Sequence, residues 1–361
     1  MTYRERFINT MRFGATDRPP YHEWVAWPET YDRWYAEGYP KRADYRKYFG
    51  FDRYEDVGID DEINPVFAEE IIEETETHII KTDWRGVQVK LAKASRSIPY
   101  FYRFPVTDKE SFRQFAKRLD ASCQARYPHG WDLRAEELRD RDFPVYLGTG
   151  RCYGFFGPIR EWVGPERLLM AFYDDPSWVH EMMDYYADFL INLTLPMLET
   201  VTPDCVHFFE DMAYRGGPLI SPEFFREFMM EPYSRVLDHF RRHGVEFFMI
   251  DTDGNVEKLI PLFIELGITG MYPFEVQAGM DIIDIRRRYG TNLVIWGGLD
   301  KRTLSVSRDS IRNEVMTKVP FMLEQGGYIP KLDHEVPPDV PFDNFRYYRD
   351  CIRDVCERGA L

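Results

Sequence analysis

The run Phe247-Phe248-Met249-Ile250-Asp251-Thr252-Asp253-Gly254-Asn255 ends an apolar strand in two carboxylates and a Gly-Asn turn. Strand side chains alternate, so Asp251 and Asp253 leave the C-terminal end on the same side. Four other apolar runs end in a similar way and supply Glu210 and Asp211, Glu275, Asp300, and His334. If these ends converge on one mouth, their carboxylates repel one another. A counter-charge is then required: a divalent cation, a cationic substrate, a nearby arginine or lysine, or raised pKa values. Arg215, in the Gly-rich segment after Glu210-Asp211, is the arginine expected to supply it. Asp251, Asp253 and a distant His334 make an O/O/N donor set that suits zinc or another first-row divalent metal. The same residues also read without a metal, with Asp253 capping a helix and His334 bonded to a neighbouring carboxylate. Glu210, Asp251 and His334 are the candidate catalytic groups. Asp211, Arg215, Glu275 and Asp300 are candidates to bind substrate. In the loop Gly150 to Pro158, Tyr153, Phe155 and Phe156 offer walls for a flat ligand, or simply a cap on the core.

Elements must bring these ends together. Helical patterns near 159–173, 176–199, 221–243, 255–266, 279–289, 308–325 and 342–357 alternate with apolar strand-like runs, which implies a parallel sheet covered by helices. No GxGxxG fingerprint follows the first strand, which favours a barrel over a doubly wound sheet. The expected fold is an α/β (β/α)8 TIM barrel, a single domain over 1–361, whose reactive side is the C-terminal face. An elaborated insertion is expected over about 28–141, with a hairpin turning at Arg85-Gly86. With 44% hydrophobic residues the chain can bury a large core. It has no apolar run of membrane-spanning length and no leader-like N-terminus, and its five cysteines are scattered, so a cytoplasmic protein is expected. A net charge of −15 argues against a nucleic-acid partner.

The motif order resembles the uroporphyrinogen decarboxylase superfamily. The matching residues are Asp17-Arg18-Pro19-Pro20, Gly157-Pro158, the block from Glu210 to Pro222, Asp251 to Asn255, Gly297-Gly298-Leu299-Asp300-Lys301, Gly326-Gly327-Tyr328, and His334 to Pro341. The resemblance implies either decarboxylation or methyl transfer to a corrinoid, and it is closer to the methyltransferase branch. That branch binds zinc through His-x-Cys-Gly-Asn and a later cysteine. Here Asp251, Asp253 and His334 stand in those places, a harder set that would favour an oxygen-bound methyl group over a thiol. The decarboxylase branch grips its substrate's propionates with an N-terminal arginine-rich loop. Residues 21 to 37 contain one arginine among four acidic residues. The expectation is therefore a metal-assisted methyltransferase or demethylase acting on a small O-methyl substrate, with the corrinoid on a separate partner protein. The alternatives are a metal-independent decarboxylase or lyase of a small carboxylate, and a non-catalytic binder of a small cation. The resemblance also allows a homodimer.

Overall fold

A computed structural model describes residues 1–94 and 98–358. Strand β1 (Glu55–Asp56) lies within the stretch read as an insertion, yet it heads a parallel sheet. Strands β2 (Glu70–Glu74), β3 (His78–Thr82), β4 (Gln88–Ala92) and β5 (Tyr100–Arg103) form a separate antiparallel sheet. Its β3–β4 hairpin turns through Arg85 and Gly86, whose φ of +82° suits glycine. Strands β6 (Val145–Leu147) and β7 (Cys205–Phe209) rejoin the parallel sheet. A small flap, β8 (Ala213–Tyr214) with β9 (Gly217–Pro218), interrupts it. Strands β10 (Phe248–Thr252), β11 (Gly270–Pro273), β12 (Val294–Trp296) and β13 (Tyr328–Ile329) complete it. The strand order is β1-β6-β7-β10-β11-β12-β13, and every pairing is parallel.

The eight-stranded ladder expected from the sequence is not formed: seven strands curl as part of a TIM-type barrel. The segment 21–27 lies across the remaining gap. The Asp52 amide donates to Tyr21 O at 2.9 Å, and Ala26 makes a parallel bridge with Val336. Beside this bridge a side chain takes a backbone donor, the Leu332 amide donating to Glu23 Oε1 at 3.1 Å.

Three helices also differ from the pattern. The one expected over 159–173 is split into Phe156–Val163 and Pro165–Asp174 at Gly164, whose φ is +85°. The one expected from 255 starts at Ile260. Asn255 is instead held in the loop, its amide donating to Tyr214 O and its side chain to Ala278 O. The helix at Pro222 begins as expected with Ser221 accepting from Phe224 N at 3.2 Å, but Phe225–Met229 is a π turn before Met230–Arg242 continues. None of the described helices is long and apolar enough to cross a membrane.

Alternation sorts the strand side chains into two cores. Val145, Leu147, Val206, Phe208, Phe248, Ile250, Met271 and Ile295 face the helices. Tyr146, Cys205, Met249, Val294, Trp296 and Ile329 form an inner cluster with Phe7 and Met11 of the helix Tyr3–Met11, which thus closes the inner core. Phe7 is wholly buried there. Phe7→Ala should therefore cost about 3–5 kcal/mol in urea unfolding, whereas a loss under about 1 kcal/mol would show that this helix does not close the core.

Candidate active site

The C-terminal ends of the strands carry the polar groups, as the barrel rule requires. Asp251 stands in β10 between Phe209 and Tyr272 of the flanking strands, and its carbonyl accepts the Glu210 amide at 2.8 Å. Burial, reinforced by the charge of Asp253, pushes the Asp251 carboxyl up to about 8. Opposing it is Lys331, two residues past β13 and 5% exposed. Its Nζ sits 3.3 Å from the centre of the Trp24 ring, with Tyr272 and Trp296 at 5.4 and 5.2 Å. Burial lowers Lys331 to about 8 against the supporting charges of Glu23 and Asp251. An acid and an amine of nearly matched proton affinity therefore share the mouth.

Asp253 and His334 form a second pair, Oδ2 to Nε2 at 3.3 Å. Burial pulls the His334 imidazole down, but the bond and charge of Asp253 prevail and raise it above its ordinary value. Trp24 stacks on the same ring, centroids 6.0 Å apart and planes at 25°. A third group surrounds Lys301. Its Nζ lies 3.6 Å from both Glu275 and Asp333 without a hydrogen bond. Asp333 accepts the Lys301 and Val276 amides at 3.0 and 2.9 Å. Glu275 accepts the Gly254 amide at 3.0 Å. Gly254 has φ +77°, and a Cβ there would come within 2.6 Å of the Ala213 backbone, so only glycine lets the flap close over this turn. A cavity of about 390 Å³ opens beside it, lined by Tyr214, Arg215, Asp253, Glu275, Gln277 and Arg302 among others. A larger one, about 620 Å³, lies between β5 and the helices at Phe156 and Pro165, and shares no lining residue with it.

The structure thus joins Asp253 to His334 and sets Asp251 and Glu275 close by, while other expected site residues serve different ends. Glu210 is buried completely, and its oxygens accept the Phe155 and Gly157 amides at 2.8 and 3.0 Å and the Tyr233 hydroxyl. Burial pushes it up to about 7 even so. It clasps the Gly154–Pro158 turn rather than facing substrate. Tyr153, Phe155 and Phe156 are 0% exposed and pack in the outer core instead of lining a cleft. Asp211 and Asp300 are engaged by Arg160 and Arg302, at 2.9 and 2.7 Å. Arg215 is exposed on the flap, so the countercharges inside the mouth are Lys331 and Lys301 instead. Neither lysine was singled out from the sequence. The signal was a lone cation inside the apolar run Tyr328 to Leu332, on a strand end already marked by Asp333 and His334.

The expected ligands Asp251, Asp253 and His334 do not form a compact set of three donors in this structure. Among the described residues, the one set of three acidic, His or Cys donors mutually within 4.8 Å is Asp61, Glu62 and Cys152, not Asp251, Asp253 and His334. The mouth as built suits proton transfer.

Residues 160–355 match the family described as uroporphyrinogen decarboxylase (URO-D). Uroporphyrinogen decarboxylase from Hydrogenovibrio crunogenus is 26% identical over 182 residues, 48% of this chain and 48% of that protein. The Serratia proteamaculans protein of the same name is 27% identical over 186 residues, 49% of each. The chain thus spans about half the length of the curated relatives it matches. A methyltransferase from Methanosarcina mazei shares the fold with a TM-score of 0.59 at 13% identity, covering 98% of this chain and 99% of that one.

Between the ordinary carboxylate pKa and about 8, the folded chain keeps a proton on Asp251 that the unfolded chain has lost, so this group's contribution to stability falls as pH rises. Asp251→Asn should therefore stabilise the protein by a margin that grows from negligible near pH 4 to several kcal/mol at pH 8. Thermal melts across that range check it; an equal shift at all pH values would contradict the assignment.

Proposed function

This chain belongs to the uroporphyrinogen decarboxylase (URO-D) family, and from that premise we propose that it is an acid-assisted demethylase. It would take the methyl group from the oxygen of a small O-methyl substrate and pass it to a corrinoid carried by a separate protein. The observation that carries this reading is the half-buried Asp251 carboxyl in the field of Lys331, a lysine enclosed by Trp24, Tyr272 and Trp296.

An ether oxygen is a poor leaving group until it is protonated. Asp251 holds a proton at neutral pH and delivers it to that oxygen as the carbon–oxygen bond breaks. The departing fragment leaves as a neutral alcohol. The reduced corrinoid supplies the electron pair that forms the new bond to the methyl carbon. Lys331 stabilises the Asp251 carboxylate that remains, and a proton taken from solvent through His334, held in place by Asp253, restores the Asp251 acid. Substrate charge argues the same way. Asp253, Glu275 and Asp333 make the mouth acidic, and like charges brought together there cost several kcal/mol. Arg18 is locked on Asp52 at 2.6 Å and Arg33 on Glu37 at 2.7 Å, leaving neither to grip propionates. The planes of Trp24 and Tyr272 suit a flat, neutral aryl ether instead.

A second reading is favoured by the ammonium groups of Lys331 and Lys301. These could hold a single carboxylate, so that the Asp251 proton goes to the carbon that releases carbon dioxide. One assay separates the two. Aryl methyl ethers with a reduced corrinoid protein should yield demethylated product and methylated corrinoid, and Asp251→Asn or His334→Ala should slow this about 10²–10⁴-fold. Carbon dioxide release from small carboxylates without methyl transfer would establish the second reading. Full turnover in Asp251→Asn would overturn both.

A further inference from the structure

We propose that Asp61, Glu62 and Cys152 form a binding site for a divalent cation of the zinc class, apart from the Asp251–Lys331 mouth. The topology brings the three together. β1 and β6 are paired in parallel, Glu55 with Val145 and Asp56 with Tyr146, so the loops after them leave the sheet side by side. Thr149 ties the loops by donating to Asp56 Oδ2 at 2.8 Å. One donor atom each from Asp61, Glu62 and Cys152 then lies within 4.8 Å of the others, and all three side chains are half-buried.

The backbone around the site is fixed before any ligand arrives. Arg126, wholly buried, donates to the carbonyls of Asp60 and Glu62 at 3.0 and 2.7 Å, and its own carbonyl accepts the Asp60 amide at 2.6 Å. The Tyr186 hydroxyl holds the Cys152 carbonyl from the other side. A separate observation points to a missing ligand: the Tyr153 hydroxyl is fully buried, has no hydrogen-bond partner among the described residues, and feels the charges of Asp61, Asp56 and Cys152. Charge points the same way. The nearby cation Arg85 is taken up by Asp83 and Glu161. Burial raises the Glu62 carboxyl, and Asp61 is pushed up to about 8 by burial and by the charge of Glu62, while the Arg126 guanidinium is spent on backbone carbonyls.

A thiolate with two carboxylates selects zinc, iron(II) or cobalt(II) over calcium and magnesium, which prefer oxygen alone. A tetrahedral site needs donors about 3.5 Å apart, which rotamer changes in half-buried side chains can reach. Binding releases the thiol proton to solvent as the sulfur–metal bond forms, and the fourth position is left for water. The site does not depend on the demethylase reading, and either can fail alone.

Anaerobic titration of the full chain with cobalt(II) tests it. The expected result is one equivalent bound, with a thiolate-to-cobalt charge-transfer band that disappears in Cys152→Ser and persists in Cys123→Ser and Asp253→Asn. Cys152→His, which keeps a ligand, should retain stoichiometric cobalt without that band, and circular dichroism confirms that each variant is folded. No uptake by the parent, an unchanged band in Cys152→Ser, or loss of binding in Asp253→Asn alone would overturn the proposal.

Discussion

The site depends on placing a carboxyl and an amine together where water is scarce. Neither charge is stable alone at that depth, so each shifts towards neutrality, and Asp251 and Lys331 arrive near a common value. The aromatic cage around Lys331 contributes in two ways. Trp24 at 3.3 Å attracts the ammonium through its ring face, and together with Tyr272 and Trp296 it keeps solvent from relieving the pair. Below them His207, pushed down to about 3 by burial, stays neutral and shares a 3.0 Å hydrogen bond with the Tyr272 hydroxyl. The wall formed by His207 and Tyr272 thus carries no charge at neutral pH.

The mouth needs loops held firmly by groups that do no chemistry. Glu210 spends its carboxylate on two amides and a tyrosine, which fixes the turn after β6. Glu23 accepts from the Trp24 and Leu332 amides and from the Tyr348 hydroxyl at 2.8 Å, and so sews the segment 21–27 to the loop that carries Lys331 and His334. Two acidic residues that look catalytic by type are therefore the fasteners of the mouth. A π turn in the helix that follows the flap, next to the helical stretch carrying Tyr233, is a further local departure from regularity beside the site.

Much of the parallel sheet could be read from the sequence, because strands buried on both faces are continuous apolar runs and the helices between them keep a clear period. The strand ends carrying Asp251, Asp253, Glu275 and His334 followed from the same pattern. Three features did not. Glu210 and Tyr153 could not be recognised as interior, since the amides and rings that enclose them come from turns and helices distant in sequence. Lys331 was hidden because a lysine in a strand-end run normally reaches solvent, and only the convergence of Trp24, Tyr272 and Trp296 shows that it does not. Among the described residues no eighth strand joins the ladder; the segment 21–27 is tied there by Ala26 and by the Glu23 side chain, contacts that no periodicity records.

The central claim is that Asp251 stays protonated at neutral pH inside an acidic mouth. Infrared difference spectroscopy of the folded protein against Asp251→Asn, in deuterated buffer across pH 4 to 10, reads that proton directly. The account predicts a protonated carboxyl band at pH 7 that is absent from the variant and titrates near 8. A carboxylate already ionised at pH 5 would contradict it.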